Sequence, residues 1–308
     1  MNRKEFIKHT AAGTFLLGAS AFPFEAFAKG DVRKITILHT NDQHSRIDPF
    51  PMDGGKYQGA GGFARRAEVI QDIRKREKHV LLLDSGDIFQ GTPYFNKFHG
   101  ELEIKLMGEM KYDASTLGNH DFDGGLENLA TQIDKSKFPF LVSNYDFTHT
   151  AVHTKTLDYK IFKFEEMKVG VFGLGIEATG LIPDSLFGET LYKNPVTEAN
   201  RVASLLKNDL HCDLVICLSH LGYRYDGNKV SDKILAKETQ DIDLILGGHT
   251  HTFFNSPEEY KNAAGKNVLV NQVGWAGILL GQIDFYFENK KKKEITKNLP
   301  LKILPKSI

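Results

Sequence analysis

The chain has 308 residues, of which 41% are hydrophobic and 25% charged. That balance excludes a disordered or fibrous protein and leaves length for one large α/β domain or two small ones. Lys plus Arg and Asp plus Glu number 39 each, so the overall charge gives no reason to expect a nucleic acid or an anionic membrane as partner; any attraction for phosphate must be local.

Residues 1–28 have the order of an export signal: basic Arg3, Lys4 and Lys8, an apolar run over 11–22, and Ala26-Phe27-Ala28 as a small-x-small cleavage site. The run is too short to span a bilayer. The expectation is a periplasmic or secreted protein without a stable membrane anchor, starting at Lys29. Residues 2–8 resemble a twin-arginine signal with Lys4 in place of the second arginine, which leaves the export route open.

From there on, short runs rich in β-branched residues and leucine alternate with segments of helical character, the pattern of a layered α/β domain. Five strand-like runs hand over to metal-competent side chains. Residues 35–40 lead into Asn41-Asp42-Gln43-His44, and residues 79–84 into Ser85-Gly86-Asp87. Residues 114–117 lead into Gly118-Asn119-His120-Asp121, residues 214–218 into Ser219-His220, and residues 244–246 into Gly247-Gly248-His249-Thr250-His251. Ligands of α/β sheets gather beyond the carboxyl ends of the strands, where rigid strands aim residues carried on short loops. One Gly-Asp or one histidine after a strand is an ordinary capped turn or core residue; five such endings together are not.

Asp42, His44, Asp87, Asn119, His220, His249 and His251 are too many ligands for one tetrahedral ion and suit two ions sharing a carboxylate. The absence of thiolates favours zinc, manganese, iron or magnesium over a structural zinc site. Cys212 and Cys217 would lie about 17 Å apart on opposite faces if their segment were one strand, out of disulfide reach, and are expected as reduced core residues. The lysine run 290–293 falls between strand-like 282–287 and 295–301 and reads as a solvated hairpin turn. His39 reads as a core or supporting residue, while Trp275 in Gln-Val-Gly-Trp-Ala-Gly either lines a cleft or closes a loop.

These motifs, Asp-x-His, Gly-Asp, Gly-Asn-His-Asp, His and Gly-His-x-His, resemble the set of the calcineurin-like metallophosphoesterases. Residues 38–44, 86–92 and 113–123 resemble more narrowly the 5′-nucleotidase branch, and the likeness runs over 34–287. The resemblance implies a four-layer α/β/β/α sandwich of two mixed β-sheets flanked by helices, filling residues 29–308. It implies Asp42, His44, Asp87 and His251 around one divalent ion and Asp87, Asn119, His220 and His249 around the other, with Asp87 bridging. His120 would face the substrate and stabilise charge or assist the leaving oxygen, with Asp123 holding it cationic. Asp121 stands where glutamate is commoner, and Arg46 is a candidate phosphate contact beside Asn119 and His120.

The implied activity is hydrolysis of phosphate esters such as nucleotides by a metal-bridging hydroxide. Branch members usually continue into a second, nucleoside-reading domain, whereas this sequence ends at Ile308. A separate protein carrying that domain is the expected partner. The alternatives are a free-standing phosphomonoesterase or cyclic-nucleotide phosphodiesterase, and a non-catalytic metal- or nucleotide-binding module. The His120–Asp123 pair argues against the last, since mere binding does not need a proton-handling histidine.

Overall fold

The structure is a computed structural model and describes residues 32–288, 291–297 and 300–304. The expected export signal lies outside them. Fourteen strands are described: β1 (Val32–Thr40), β2 (Val80–Asp84), β3 (Ala114–Ser115), β4 (Tyr145–Asp146), β5 (Tyr159–Phe164), β6 (Met167–Leu174), β7 (Leu191–Tyr192), β8 (Leu214–Ser219), β9 (Leu244–Gly247), β10 (Glu258–Lys261), β11 (Asn267–Asn271), β12 (Leu279–Glu288), β13 (Lys291–Lys297) and β14 (Leu301–Lys302). One sheet has the order β13-β12-β1-β2-β3, with β14 also on β12; the other runs β10-β11-β9-β8-β6-β5; β4 and β7 form a small ribbon. Both large sheets are mixed: β1, β2 and β3 are mutually parallel with β12 antiparallel to β1, and β6, β8, β9 and β11 are parallel with antiparallel edges.

The period of two along each strand distributes side chains between layers. Ile35 and Ile37 of β1, Leu81 and Leu83 of β2, Leu214, Ile216 and Leu218 of β8, and Leu244 and Leu246 of β9 share one buried cluster between the sheets. Their neighbours point outward. Leu38 and Leu82 meet Ile70 and Ile73 of the helix Phe63–Arg76 and Leu129 and Ile133 of the helix Gly125–Lys135. Val215, Cys217 and Ile245 meet Val202 of Pro195–Ser204 and Leu235 of Asp232–Glu238. Burying each such side chain contributes roughly 1.5–3 kcal/mol, so the layers are held by apolar contact on both faces of each sheet. The result is the expected four-layer α/β/β/α sandwich.

The parallel strands end level with one another: Thr40 pairs with Asp84, Asp84 with Ser115, and Ser219 with Gly247. This alignment brings the loops after five strands to one end of the sandwich.

Two expectations change in detail. Lys291, Lys292 and Lys293 belong to β13, with Glu288 paired to Lys291, whereas Lys290 lies outside the described residues. β13 ends the strand order of its sheet. Cys212 and Cys217, both free and buried, share one cluster instead of facing opposite ways, because the strand starts at Leu214 and its alternation does not extend back to Cys212. Among the described residues no helix is long and apolar enough to cross a membrane.

Candidate metal centre

Sharp turns carry the chain across the strand ends. Asp42, His44, Asp87, His249 and His251 have φ between 48° and 70°, the left-handed region that costs a side-chain-bearing residue about 1 kcal/mol or more. Five of the seven expected ligands thus sit in strained backbone, a concentration typical of functional sites. Glycine is required beside them. Gly86 has φ 87°, and a Cβ there would stand 2.6 Å from the Gly118 nitrogen; a Cβ on Gly118 would collide with Asp87 Oδ1.

The side chains converge in two groups of potential metal donors, Asp42–His44–His251 and Asp87–His220–His249. Each draws on both sheets. In the first, His44 Nε2 faces His251 Nε2 at 3.0 Å, and Asp42 Oδ1 lies 3.3 Å from His251 Nε2. In the second, Asp87 Oδ2 lies 3.1 Å from His220 Nε2 and also 3.8 Å from His44 Nε2 of the other group. Asp87 therefore reaches both groups, and so does Asp42, whose Oδ1 is 3.9 Å from His220 Nε2. Asn119 Oδ1 is 2.8 Å from His249 Nδ1, a distance at which the ring donates to the amide oxygen or both atoms share a cation.

The donors fit cations. His220 donates through Nδ1 to the Ser85 carbonyl at 2.6 Å, which leaves Nε2 aimed into the site. That Nε2 is buried with only the Asp87 carboxylate, at 3.1 Å, beside it and no aligned hydrogen bond among the described residues, and two ring nitrogens facing each other at 3.0 Å need a shared proton or a positive ion. Fixing one ring nitrogen on a carbonyl is how a metal-ligating histidine is oriented. Burial alone would raise Asp87, but His220, His44 and His120 outweigh it and hold the carboxyl below its ordinary range. Burial likewise opposes the charged form of His220, yet Asp87 and Asp42 raise its pKa to about 10. The proton held there stands in for the charge that a divalent ion would bring. Burial and the nearby His220 lower His249 to about 4.

His120 Nδ1 lies 2.9 Å from Asp123 Oδ2, and its ring stands edge-on to His44 with centroids 5.3 Å apart. The Asp123 hydrogen bond raises the His120 pKa against a smaller opposing effect of burial. Its side chain is 42% exposed, so a substrate can reach it. Arg46 places its guanidinium 4.4 Å over the Phe50 ring, with a buried Nε that has no hydrogen-bond partner among the described residues.

Residues 35–253 match the family described as calcineurin-like phosphoesterase. The chain belongs to that family. It is 35% identical over 278 residues to a snake venom 5′-nucleotidase of Crotalus adamanteus, covering 83% of this chain and 46% of that protein. It is 33% identical over 267 residues to a human 5′-nucleotidase, covering 83% and 44%. A 5′-nucleotidase precursor from Thermus thermophilus superposes with a TM-score of 0.78 at 29% identity, over 88% of this chain and 55% of that one. The chain thus spans less than half the length of the first two relatives.

Sequence reasoning left Asp121 without a role, and the fold supplies one. Its buried carboxylate accepts from the backbone N–H groups of Gly118 (2.8 Å), Asp87 (3.0 Å), Ile88 (2.9 Å) and Phe89 (3.2 Å), clamping the Asp87 loop to the Asn119 loop. Two further residues escaped it. Asp84 accepts from Thr40 Oγ1 (2.6 Å), Gln43 Nε2 (2.8 Å), the Gly86 amide (3.0 Å) and Ser115 Oγ (3.2 Å), and the fully buried Arg66 donates to Gln43 Oε1. Gln43, lodged between two ligands, was the only signal. His39 is the core histidine expected, bonded to Asn271 at 2.8 Å and lowered by burial to about 3.

Proposed function

We propose that this member of the calcineurin-like phosphoesterase family is an exported phosphohydrolase of the 5′-nucleotidase type, holding two divalent ions and cleaving phosphate esters of nucleotides. The observation that carries the reading is the pair of facing donor groups, built from both sheets, with the exposed His120–Asp123 pair beside them. Nucleotides as substrates rest on the likeness to 5′-nucleotidases, and export on the order of residues 1–28.

Asp42, His44 and His251 would hold one ion and Asn119, His220 and His249 the other, with Asp87 between them. Zinc, manganese, iron and magnesium all suit such nitrogen and oxygen donors. When bound, two such ions activate water as a nucleophile and neutralise charge growing on phosphoryl oxygens. The protein's own groups do the rest. His120, kept protonated by Asp123, donates toward the phosphoryl or departing ester oxygen while water adds to phosphorus and the ester bond breaks. The Asp121 clamp and the Asp84 network keep the donors in place before substrate arrives, so little reorganisation is needed in the transition state.

The partner we propose is a separate nucleoside-binding protein corresponding to the remainder of the longer relatives; it would supply affinity for the base. The test is phosphate release from a panel of 5′-nucleotides, 2′,3′-cyclic nucleotides and simple phosphomonoesters by metal-loaded protein, with and without such a partner. Release from 5′-nucleotides that chelation abolishes is the expected result. Equal rates on all simple esters, unaffected by the partner, would favour a free-standing broad phosphoesterase.

A further inference from the structure

Behind the donors each sheet has a buried carboxyl. For the first sheet it is Asp84, at the end of β2, which gathers Thr40, Gln43, Gly86 and Ser115. For the second it is Asp232, which the chemistry above leaves without a role. Asp232 is fully buried and opens the helix Asp232–Glu238, but its side chain turns back to the strand ends. Ser219 Oγ donates to Asp232 Oδ1, and the same Oγ receives the Leu221 amide at 3.3 Å. Ser219 and Leu221 flank His220, so this hydroxyl closes the turn that carries the donor.

The other oxygen, Oδ2, lies against Gly247, where a Cβ would stand 2.1 Å from it. Gly247 lies in β9 and has no positive φ, so what glycine supplies here is space for the carboxyl. Gly247 pairs with Ser219 and stands two residues before His249. The stretch that follows is held by Gln272, which donates to the Gly248 carbonyl and accepts from Thr250 Oγ1 at 3.2 Å. Asp232 thus touches the ends of both strands that deliver His220 and His249. Oδ2 has no hydrogen-bond partner among the described residues. A buried polar atom without a partner is costly, and an apolar side chain of similar size would avoid that cost, so stability does not account for an acid at this position. Burial pushes the Asp232 carboxyl up to about 8 against the Ser219 hydrogen bond, which leaves shape and hydrogen bonding, more than charge, as what it offers at neutral pH.

We infer that Asp232 is a positioning residue for the Asp87–His220–His249 group, setting how His220 and His249 face each other by holding Ser219 on one side and abutting Gly247 on the other. It acts through those two residues. Groups that orient ligating histidines from behind are typically worth 10 to 100-fold in metal affinity, and Asp232 does for two strand ends at once what a carbonyl does for the His220 ring. The inference rests on the reading of these histidines as metal donors for its consequence, but the geometry it describes can be measured without metal.

The test is zinc binding by the full chain and its variants in competition with a chromophoric chelator, alongside thermal unfolding and nuclear magnetic resonance of the histidine rings. Asp232→Ala is expected to weaken one ion about 10 to 100-fold and leave the other little changed, in a protein that still unfolds cooperatively. Asp232→Asn, which keeps the size and the acceptor for Ser219, should restore most of the loss. Ser219→Ala should weaken the same ion, and the double variant Asp232→Ala/Ser219→Ala should lose no more than Asp232→Ala alone. Gly247→Ala should also weaken it, and less so once Asp232→Ala has emptied the space that the new methyl needs. In metal-free protein the ring signals of His220 and His249 should move in Asp232→Ala while those of His44 stay in place. Equal weakening of both ions, additive losses in the double variant, or unmoved His220 and His249 signals would each overturn the inference. So would an Asn variant as impaired as the Ala variant, since charge would then be what Asp232 supplies. If Asp232→Ala does not fold, Ser219→Ala and Asp232→Asn decide by the same readouts. Should the parent protein bind no ion, the metal reading fails, while the ring signals still decide for or against the positioning role.

Discussion

The two donor groups share a design and differ in depth. In the Asp87–His220–His249 group, Asp87 and His220 have 2% and 0% of their side chains exposed, and His220 is fixed on a carbonyl of the opposite sheet's loop. In the Asp42–His44–His251 group Asp42 is as buried as Asp87, but His44 and His251 are 11% and 39% exposed, and both rings touch other rings at the mouth. One group is a floor and the other a rim. Floor donors are held by the scaffold before anything binds, whereas rim donors stand next to whatever a substrate brings. Affinity for an ion is therefore expected to be greatest at the floor, and influence on the substrate greatest at the rim.

The severest test of this contrast is Asp87→Ala, which removes the one carboxylate expected to bridge the two groups. Both ions should be lost and ester hydrolysis should fall by at least about 10³-fold; elemental analysis alongside a rate assay reads both. Retention of both ions would transfer the bridging position to Asp42, whose Oδ1 also approaches both groups. His120→Ala comes next. Since His120 faces the rim without belonging to either donor group, metal content should stay near that of the parent protein while turnover drops about 10²-fold. An emptied site would make His120 a ligand.

A smaller effect is expected from Asp121→Ala. Its carboxylate holds four amides around the Asp87 and Asn119 loops, so the floor ion should bind roughly 10 to 100-fold more weakly, in line with the loss of groups that orient ligands. Competition with a chromophoric chelator measures it. If the rim ion weakened more than the floor ion, depth would not be what separates the groups.

Much of this was legible in the chain because each ligand closes a strand whose apolar run is local, and the glycines that permit the sharp turns stand next to the ligands. That the domain is layered α/β followed from strand-like runs alternating with helical segments, whereas the four-layer order came with the family resemblance. What stayed hidden depends on contacts remote in sequence. Asp121 gains its role only when the loops after β2 and β3 meet, Phe50 and Tyr57 meet Trp275 and Phe253 from the far end of the chain, and Arg66 sits on a helix whose pattern offers no reason to bury a guanidinium. Cys212 shows the limit of periodicity itself, which fails as soon as the strand does.

The smallest effect is expected from Arg66, and it tests whether the rim can be weakened by itself. Arg66 is fully buried, lies 4.3 Å over the Phe63 ring, and donates to Gln43, which passes the contact to Asp84. Gln43 sits between Asp42 and His44, both rim donors, whereas His220 and His249 are carried by the other sheet. Burial pushes Asp84 up to about 6, and the Arg66 charge is among the influences holding it down. In Arg66→Met the stem volume is largely kept, the charge is lost, and Asp84 rises further, so Gln43 loses both its donor and a firmly ionised acceptor. The outcome expected is a rim ion bound up to about tenfold more weakly with the floor ion little changed, seen as one ion per chain when the protein is dialysed against limiting metal. Loss of both ions in parallel, in a protein that still unfolds cooperatively, would show that Arg66 supports the whole centre and that rim and floor are not separable from below.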